Sequence, residues 1–293
     1  MNMKILNIGS LNIDDVYSVD HFVRPGETIS SSKYNKFCGG KGLNQSIALA
    51  NAGAEVFHAG AIGDDGTFLK ERLNEAGANT SLVKIGEIST GRAIIQVVPE
   101  GENSIILYNG ANHSLSPADI DSFLEPFNNG DYLLLQNEIN DLELIINKAH
   151  EKGLIIVINP APMEKRILNL PLEKISIFIV NEIEGEGFTG ESEARKIGDE
   201  FMRNFPKAKL VLTLGADGVY YRDKSQTITL PAEKITPVDT TAAGDTFIGY
   251  FLAGLAAGEK TESALKRAVK ASAVTCTRPG AADSIPLAKE LQT

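Results

Sequence analysis

Short, largely apolar runs constrain the fold of this chain more than any other feature. They occur at residues 5–8, 56–59, 133–135, 154–158, 177–180 and 210–214. A strand with one wet face alternates apolar and polar residues, whereas a strand covered on both faces reads as continuously apolar. Between the runs, residues 43–52, 68–76, 119–124, 142–152, 193–205, 246–257 and 262–277 carry apolar side chains three and four apart, the spacing of an amphipathic helix. Strand–helix alternation predicts an α/β fold, a mostly parallel sheet with helices on both faces. Residues 16–37 and 91–108 depart from this pattern. They alternate in polarity and contain the turn sequences Arg24-Pro25-Gly26-Glu27 and Glu100-Gly101-Glu102-Asn103. We read them as a small antiparallel β-flap. Without repeats or a low-complexity linker, 1–293 is expected to be a single domain with lid segments at about 14–37 and 91–109.

Composition excludes several classes. The formal charge of −10 disfavours nucleic acid and anionic membrane surfaces as partners. No window reaches the roughly 18 apolar residues of a membrane-spanning helix. The run at 5–8 is too short for a signal peptide core. Two cysteines, Cys38 and Cys276, stand far apart without a CxxC pair. They suggest free thiols in a reducing, cytoplasmic setting. The four histidines are scattered, and no Ser-His-Asp or Cys-His pattern is apparent.

Two segments stand out. In Asp239-Thr240-Thr241-Ala242-Ala243-Gly244-Asp245-Thr246-Phe247, small residues open a helix. Ala242, Ala243 and Gly244 let backbone approach a ligand closely, and free N–H groups at a helix start suit a phosphate. Asp245 in that turn either takes a proton from an attacking hydroxyl or caps the helix. The second segment is Gly39-Gly40-Lys41-Gly42-Leu43-Asn44-Gln45. It is no Walker A loop, because Gly42 follows Lys41, and it lacks the GxGxxG of a dinucleotide fold. It offers bare backbone, an ammonium and a carboxamide. With Asn12, Asp14 and Glu138 it could bind a polyol outside the carboxyl ends of strands. The competing readings are a solvated Lys41 and a backbone-capping turn at Asn12 and Asp14. Asn181 and Glu184, three apart after a strand, either hold Mg²⁺ through water or are an acidic helix start. Thr213, Gly215 and Gly218 either pass over a nucleotide or form an ordinary strand-to-strand turn.

These motifs together resemble the ribokinase family, the phosphofructokinase B group of carbohydrate kinases. The likeness runs nearly end to end. It takes in Gly9-Ser10-Leu11-Asn12-Ile13-Asp14, Pro25-Gly26-Glu27-Thr28, the Gly39–Gln45 and Asp239–Asp245 motifs, Gly60-Ala61-Ile62-Gly63-Asp64-Asp65, Thr90-Gly91, Gly110-Ala111-Asn112, Asn159-Pro160-Ala161-Pro162, Asn181-Glu182-Ile183-Glu184 and Thr277-Arg278-Pro279-Gly280-Ala281. The resemblance implies a doubly wound sheet whose β-flap is a lid and often a homodimer interface. It implies transfer of the γ-phosphate of ATP to a sugar, D-ribose to D-ribose 5-phosphate. A related carbohydrate or nucleoside kinase, or a non-catalytic sugar sensor, is the alternative. Asp245 matches the catalytic base, and Ala242, Ala243 and Gly244 the anion hole. Asn12, Asp14, Gly40, Lys41, Asn44 and Glu138 match the sugar site. Asn181, Glu184, Thr213, Gly215, Gly218 and Gly244 match the Mg²⁺-ATP site. Asp239, Thr241, Thr275, Arg278, Gly280 and Ser284 match a K⁺ site, several through main-chain carbonyls. The chain departs from the pattern at Asp15, an extra acid, at Cys38, at Val269, where a polar group often meets the nucleotide, and at Thr275, where a smaller residue is common.

Overall fold

The largely apolar runs become the centre of a nine-stranded sheet. The computed structural model of the protein describes residues 3–292. Its strands are β1 (Ile5–Ile8), β2 (Asn12–Ser18), β3 (Lys33–Gly39), β4 (Val56–Gly63), β5 (Asn79–Gly86), β6 (Gly91–Val97), β7 (Asn103–Tyr108), β8 (Tyr132–Gln136), β9 (Ile155–Asn159), β10 (Ile177–Asn181), β11 (Lys209–Thr213), β12 (Val219–Arg222) and β13 (Thr227–Leu230). The helices are α1 (Lys41–Asn51), α2 (Thr67–Glu75), α3 (Pro117–Leu124), α4 (Leu142–Glu151), α5 (Glu182–Thr189), α6 (Ala194–Asn204), α7 (Ala243–Ala256) and α8 (Thr261–Cys276).

The main sheet has the order β13-β12-β11-β10-β9-β8-β1-β4-β5. It is parallel from β11 through β5, and β12 and β13 add antiparallel strands at one edge. Successive strand residues point to opposite faces, so each run feeds two cores. Ile5, Leu134, Val157, Ile177 and Ile179 pack with Leu43 and Ile47 of α1, Phe251 of α7 and Leu265 of α8. Leu6, Leu133, Leu135, Ile156, Ile158 and Phe178 pack with Phe123 of α3, Ile145 of α4 and Phe201 of α6. The expected helix-covered parallel sheet is thus present. Among the described residues, no helix is long and apolar enough to cross a membrane.

The flap is a separate four-stranded sheet in the order β3-β2-β6-β7. Its outer pairs are antiparallel as expected, but the central β2–β6 pair is parallel. Topology explains the difference. β2 follows β1 and β6 follows β5, so both leave the carboxyl ends of strands that run the same way. The face bearing Tyr34, Ile94, Ile106 and Tyr108 is exposed.

Helices α1 and α7 pack where a Cβ on Gly249 would fall 2.4 Å from the Ala48 Cβ. Four residues earlier on α7, Asp245 meets Asn44 and Gln45, four and three residues earlier on α1. The helices therefore run in the same direction, and both amino termini reach the same end of the sheet.

Candidate active site

The start of α7 is shaped by Ala242, whose φ of 61° puts a non-glycine residue in the left-handed region. This N-cap has no side-chain cap, so Asp245 is not the helix cap. Its carboxylate instead faces α1. Oδ1 accepts from Gln45 Nε2 at 2.8 Å and Oδ2 from Asn44 Nδ2 at 3.2 Å. The first-turn amides of a helix have no intrahelical acceptor. Gly244 offers such an amide, and a Cβ there would meet open space, whereas Ala243 N donates to Thr240 O at 3.2 Å. A carboxylate and an amide donor thus share one helix tip.

That tip closes a cleft of about 180 Å³ whose lining includes Lys41, Asn159, Asn181, Glu184, Thr213, Ala242, Gly244 and Asp245. It brings together the proposed base, the anion hole and part of the nucleotide set. Asn181 and Glu184 also form the reciprocal cap of α5: Glu184 N donates to Asn181 Oδ1 at 2.8 Å and Asn181 N to Glu184 Oε2 at 3.0 Å. The acidic helix start is therefore real, and it stands in the cleft wall. Burial raises the Glu184 carboxyl above its ordinary value, against the pull of the Asn181 amide and Lys41. Thr213 sits beside Asn181 in the β10–β11 register. Gly215 and Gly218 do not line this cleft. They shape the β11–β12 turn, where Gly218 has φ 102° and a Cβ would fall 2.1 Å from Leu230 O.

The remaining polar residues converge on Lys41. Asn12 and Asp14 lie within β2, not in a capping turn. Asn12 is buried, and its Oδ1 accepts from Asn112 Nδ2 at 2.7 Å, which leaves its own amide protons for a ligand. Asp14 lies against bare Gly39, where a Cβ would collide with the carboxylate. Glu138 accepts from Ser10 Oγ and, at 3.0 Å, from Lys41 N. Gly40 turns into α1 with φ 94°, its Cβ position 3.0 Å from Ser10 O. Asn44 is buried with an unpartnered Oδ1. Asn12, Asp14 and Glu138 are not in the cleft lining; Lys41 links the two groups. Burial alone would lower the Lys41 ammonium, but Asp245, Glu138, Glu184 and Asp14 outweigh it and raise it above its ordinary value. Lys41 is therefore no solvated surface lysine. Burial, then the charges of Glu138 and Asp15, push Asp14 up to about 7 despite Lys41. Burial also raises Glu138, opposed by Lys41 and the Ser10 hydroxyl.

Two loops meet behind the anion hole. Asp239 accepts from Thr241 N and Oγ1 at 2.9 and 2.6 Å, and from Gly280 N at 3.0 Å. Thr275 is buried, its hydroxyl 2.9 Å from that of Thr246. Ser284 donates to Ala281 O at 2.7 Å. The Arg278 guanidinium pairs with Glu290 at 2.7 Å, so only its backbone remains for an ion. The extra acid, Asp15, is turned away from the Asp14 side of β2. It pairs with Arg92 at 2.8 Å and accepts from Tyr34 Oη at 2.6 Å, which places it in the flap's own framework. Cys38 packs against the first core as a free thiol. Val269 lines a different, larger cavity of about 660 Å³ along α8, with Leu230, Pro231 and Lys270. Sequence reasoning assigned no role to Gln45, Asn112 or Asn159. Asn159 ends an apolar run, the mark of a strand's carboxyl end, whereas Gln45 and Asn112 follow glycine-rich turns.

The model of the pfkB family of carbohydrate kinases matches residues 2–288. A ribokinase of Staphylococcus aureus is 36% identical over 307 aligned positions, covering 99% of both chains. A deoxyribokinase of Salmonella typhi is 32% identical, covering 97% of this chain and 96% of the relative. The structure of an Arabidopsis thaliana ribokinase complexed with ribose and ATP superposes with a TM-score of 0.90 at 26% identity, over 100% and 98% of the two chains. The chain belongs to the pfkB family of carbohydrate kinases.

Proposed function

We propose that the protein transfers the γ-phosphate of ATP to the 5-hydroxyl of D-ribose. One observation carries the proposal: a carboxylate, Asp245, and the open Gly244 amide of a helix start share the head of a cleft. The lining of that cleft also includes Lys41, Asn181, Glu184 and Thr213. Phosphoryl transfer requires in-line placement, charge neutralisation and a proton acceptor. Asp245 takes the hydroxyl proton, and the Gly244 amide at the tip of α7 receives charge on the migrating phosphoryl group. Asn12, Asp14, Gly40, Lys41, Asn44 and Glu138 hold the sugar, and the flap covers it and excludes water. That an Arabidopsis ribokinase of the same fold was solved with ribose and ATP supports the choice of substrates.

No group of three or more His, Cys, Asp or Glu among the described residues could hold a metal alone. A Mg²⁺ would therefore arrive with the nucleotide, held by its phosphates and, through water, by Asn181 and Glu184. Mg²⁺ neutralises phosphate charge. The loops joined by Asp239 offer oxygen donors only, from Asp239 and the backbone near Thr241, Thr275, Arg278, Gly280 and Ser284. That chemistry suits K⁺, which would brace the anion hole. The exposed apolar flap face fits a homodimer, because large apolar patches mark interfaces. Free Cys38 and Cys276 suit a cytoplasmic setting.

The Salmonella typhi relative favours a second reading, 2-deoxyribose. Against it, the Asn12 amide protons would lose a hydroxyl partner. ADP release across ribose, 2-deoxyribose, hexoses and nucleosides, with K⁺ or Na⁺, tests both. Ribose is expected to lead, with higher turnover in K⁺. Turnover confined to nucleosides, or none, overturns the proposal. Asp245→Asn is expected to bind ribose and lose at least about 10³-fold in kcat; near-normal kcat removes Asp245 as base. Ile106→Asp is expected to give monomers by analytical ultracentrifugation.

A further inference from the structure

The carboxylate of Asp245 is met by a side chain that sequence reasoning left without a role. Gln45 is fully buried, as are Gln136, Asn7, Ser46 and His58 behind it. Gln45 Nε2 donates to Asp245 Oδ1 at 2.8 Å and to Asn159 Oδ1 at 3.2 Å. Gln45 Oε1 accepts from Gln136 Nε2 at 2.7 Å, and Gln136 Nε2 also donates to Asn7 Oδ1 at 3.0 Å. Asn7 Nδ2 donates to Gly42 O and Ser46 Oγ, each at 2.8 Å.

A carboxamide can be turned end for end with little change of shape, so its direction must come from its partners. Here the direction is anchored. Gly42 O is a backbone carbonyl and can only accept, so Asn7 must present its amino group there and its oxygen to Gln136. Ser46 permits the same sense. Its hydroxyl lies 2.8 Å from His58 Nδ1, and in either neutral tautomer of that ring the Ser46 oxygen keeps a lone pair with which to accept from Asn7. Gln136 must then present its amino group to both Asn7 and Gln45. Its own Oε1 is left buried without a partner, packed where a Cβ on Gly9 would fall 2.4 Å away. Gln45 must offer its oxygen to Gln136 and hence its N–H to Asp245. Reversing any one amide would set two oxygens against each other in a dry interior, where unpaired acceptors are costly.

We propose that Gln45 is a positioning residue for the phosphotransfer base. Its direction is set from the α1 backbone through Asn7 and Gln136, so Asp245 always meets a donor on Oδ1 and stays aimed as an acceptor. This rests on Asp245 being the base. It also accounts for a buried chain of amides where the surrounding strands are apolar.

The test uses the full-length protein with ribose and ATP. For Gln45→Met, kcat is expected to fall about 10- to 100-fold, the size of one hydrogen bond to a charged group. Ribose Kd by calorimetry should stay within about threefold, since Gln45 is not in the sugar set. Gln136→Met should lower kcat by a smaller factor although it touches neither base nor ligand. In the double variant the two losses should not multiply, because one acts through the other. Normal kcat in a folded, ribose-binding Gln45→Met protein, or independent multiplication, overturns the proposal. Should the variants not fold, the side-chain amide protons of Gln45 in wild-type enzyme give the answer by NMR. One should lie downfield and move upfield in Asp245→Asn; no movement also overturns it. A wild-type enzyme inactive on every sugar would instead overturn the kinase reading, so the two failures are distinguishable.

Discussion

Ribose binding is expected to weaken steeply below neutral pH, and the cause is Asp14. Burial, helped by Glu138 and Asp15, lifts its carboxyl from 3.8 to about 7. A carboxylate beside a sugar serves by accepting hydroxyl protons, so the ionised form is the binding form. Apparent Kd then scales as one plus the ratio of proton concentration to the acid constant. That is about 11-fold weaker binding at pH 6 and about 100-fold at pH 5, against nearly full affinity at pH 8. Calorimetric titration of ribose without nucleotide, from pH 5 to 9, measures this directly. Asp14→Asn should bind more weakly throughout and lose the inflection near 7. The same shift acts on stability with a definite sign. The folded value lies above the unfolded one, so the native state binds more protons, and stability falls as pH climbs from about 4 to about 7. Three units correspond to a loss on the order of 4 kcal/mol. Asp14→Asn should therefore melt higher than wild type at pH 8 and about the same at pH 4. A flat wild-type affinity between pH 5.5 and 8.5, or an inflection that survives in Asp14→Asn, would refute the assignment.

Other perturbations test the frame around the site. Arg92 joins buried Asp15 to exposed Asp65, each at 2.8 Å. Arg92→Met strands Asp15 and should cost about 1–3 kcal/mol in chemical denaturation, reduced because Arg92 is partly exposed. It should also raise the ribose KM by loosening the flap, and Asp15→Asn in the same chain should recover part of the stability. Gly249→Leu drives a side chain into Ala48 and Leu49. Overpacking there should cost about 1–3 kcal/mol. Activity should fall with it, because α1 carries Lys41 to Gln45 and α7 carries Asp245; unchanged kcat and melting would mean the helices need no such contact.

What the sequence made legible follows the range of the forces involved. The strands of the main sheet were readable because burial on both faces leaves a local record, a largely apolar run. β5 lacks that record. Its residues Asn79–Gly86 are largely exposed at the edge of the sheet, and it was not recognised. The flap's alternation was readable strand by strand. The parallel β2–β6 pairing was not, because it depends on where two distant strands leave the body. The same division holds within the site. Asp245, Lys41 and the glycines announce themselves through residue type, since few other side chains can ionise or vanish as the chemistry requires. Gln45, Gln136 and Asn7 carry no such mark, for an amide inside an apolar run is equally consistent with an edge, a turn or a misplaced polar group. Their meaning lies in direction, and direction arises only when partners from β1, β8 and α1 close around them and one fixed carbonyl, Gly42 O, decides which way every amide faces. A motif therefore locates the reacting groups, while the orientation that lets them react is settled by contacts up to 200 residues apart in the chain.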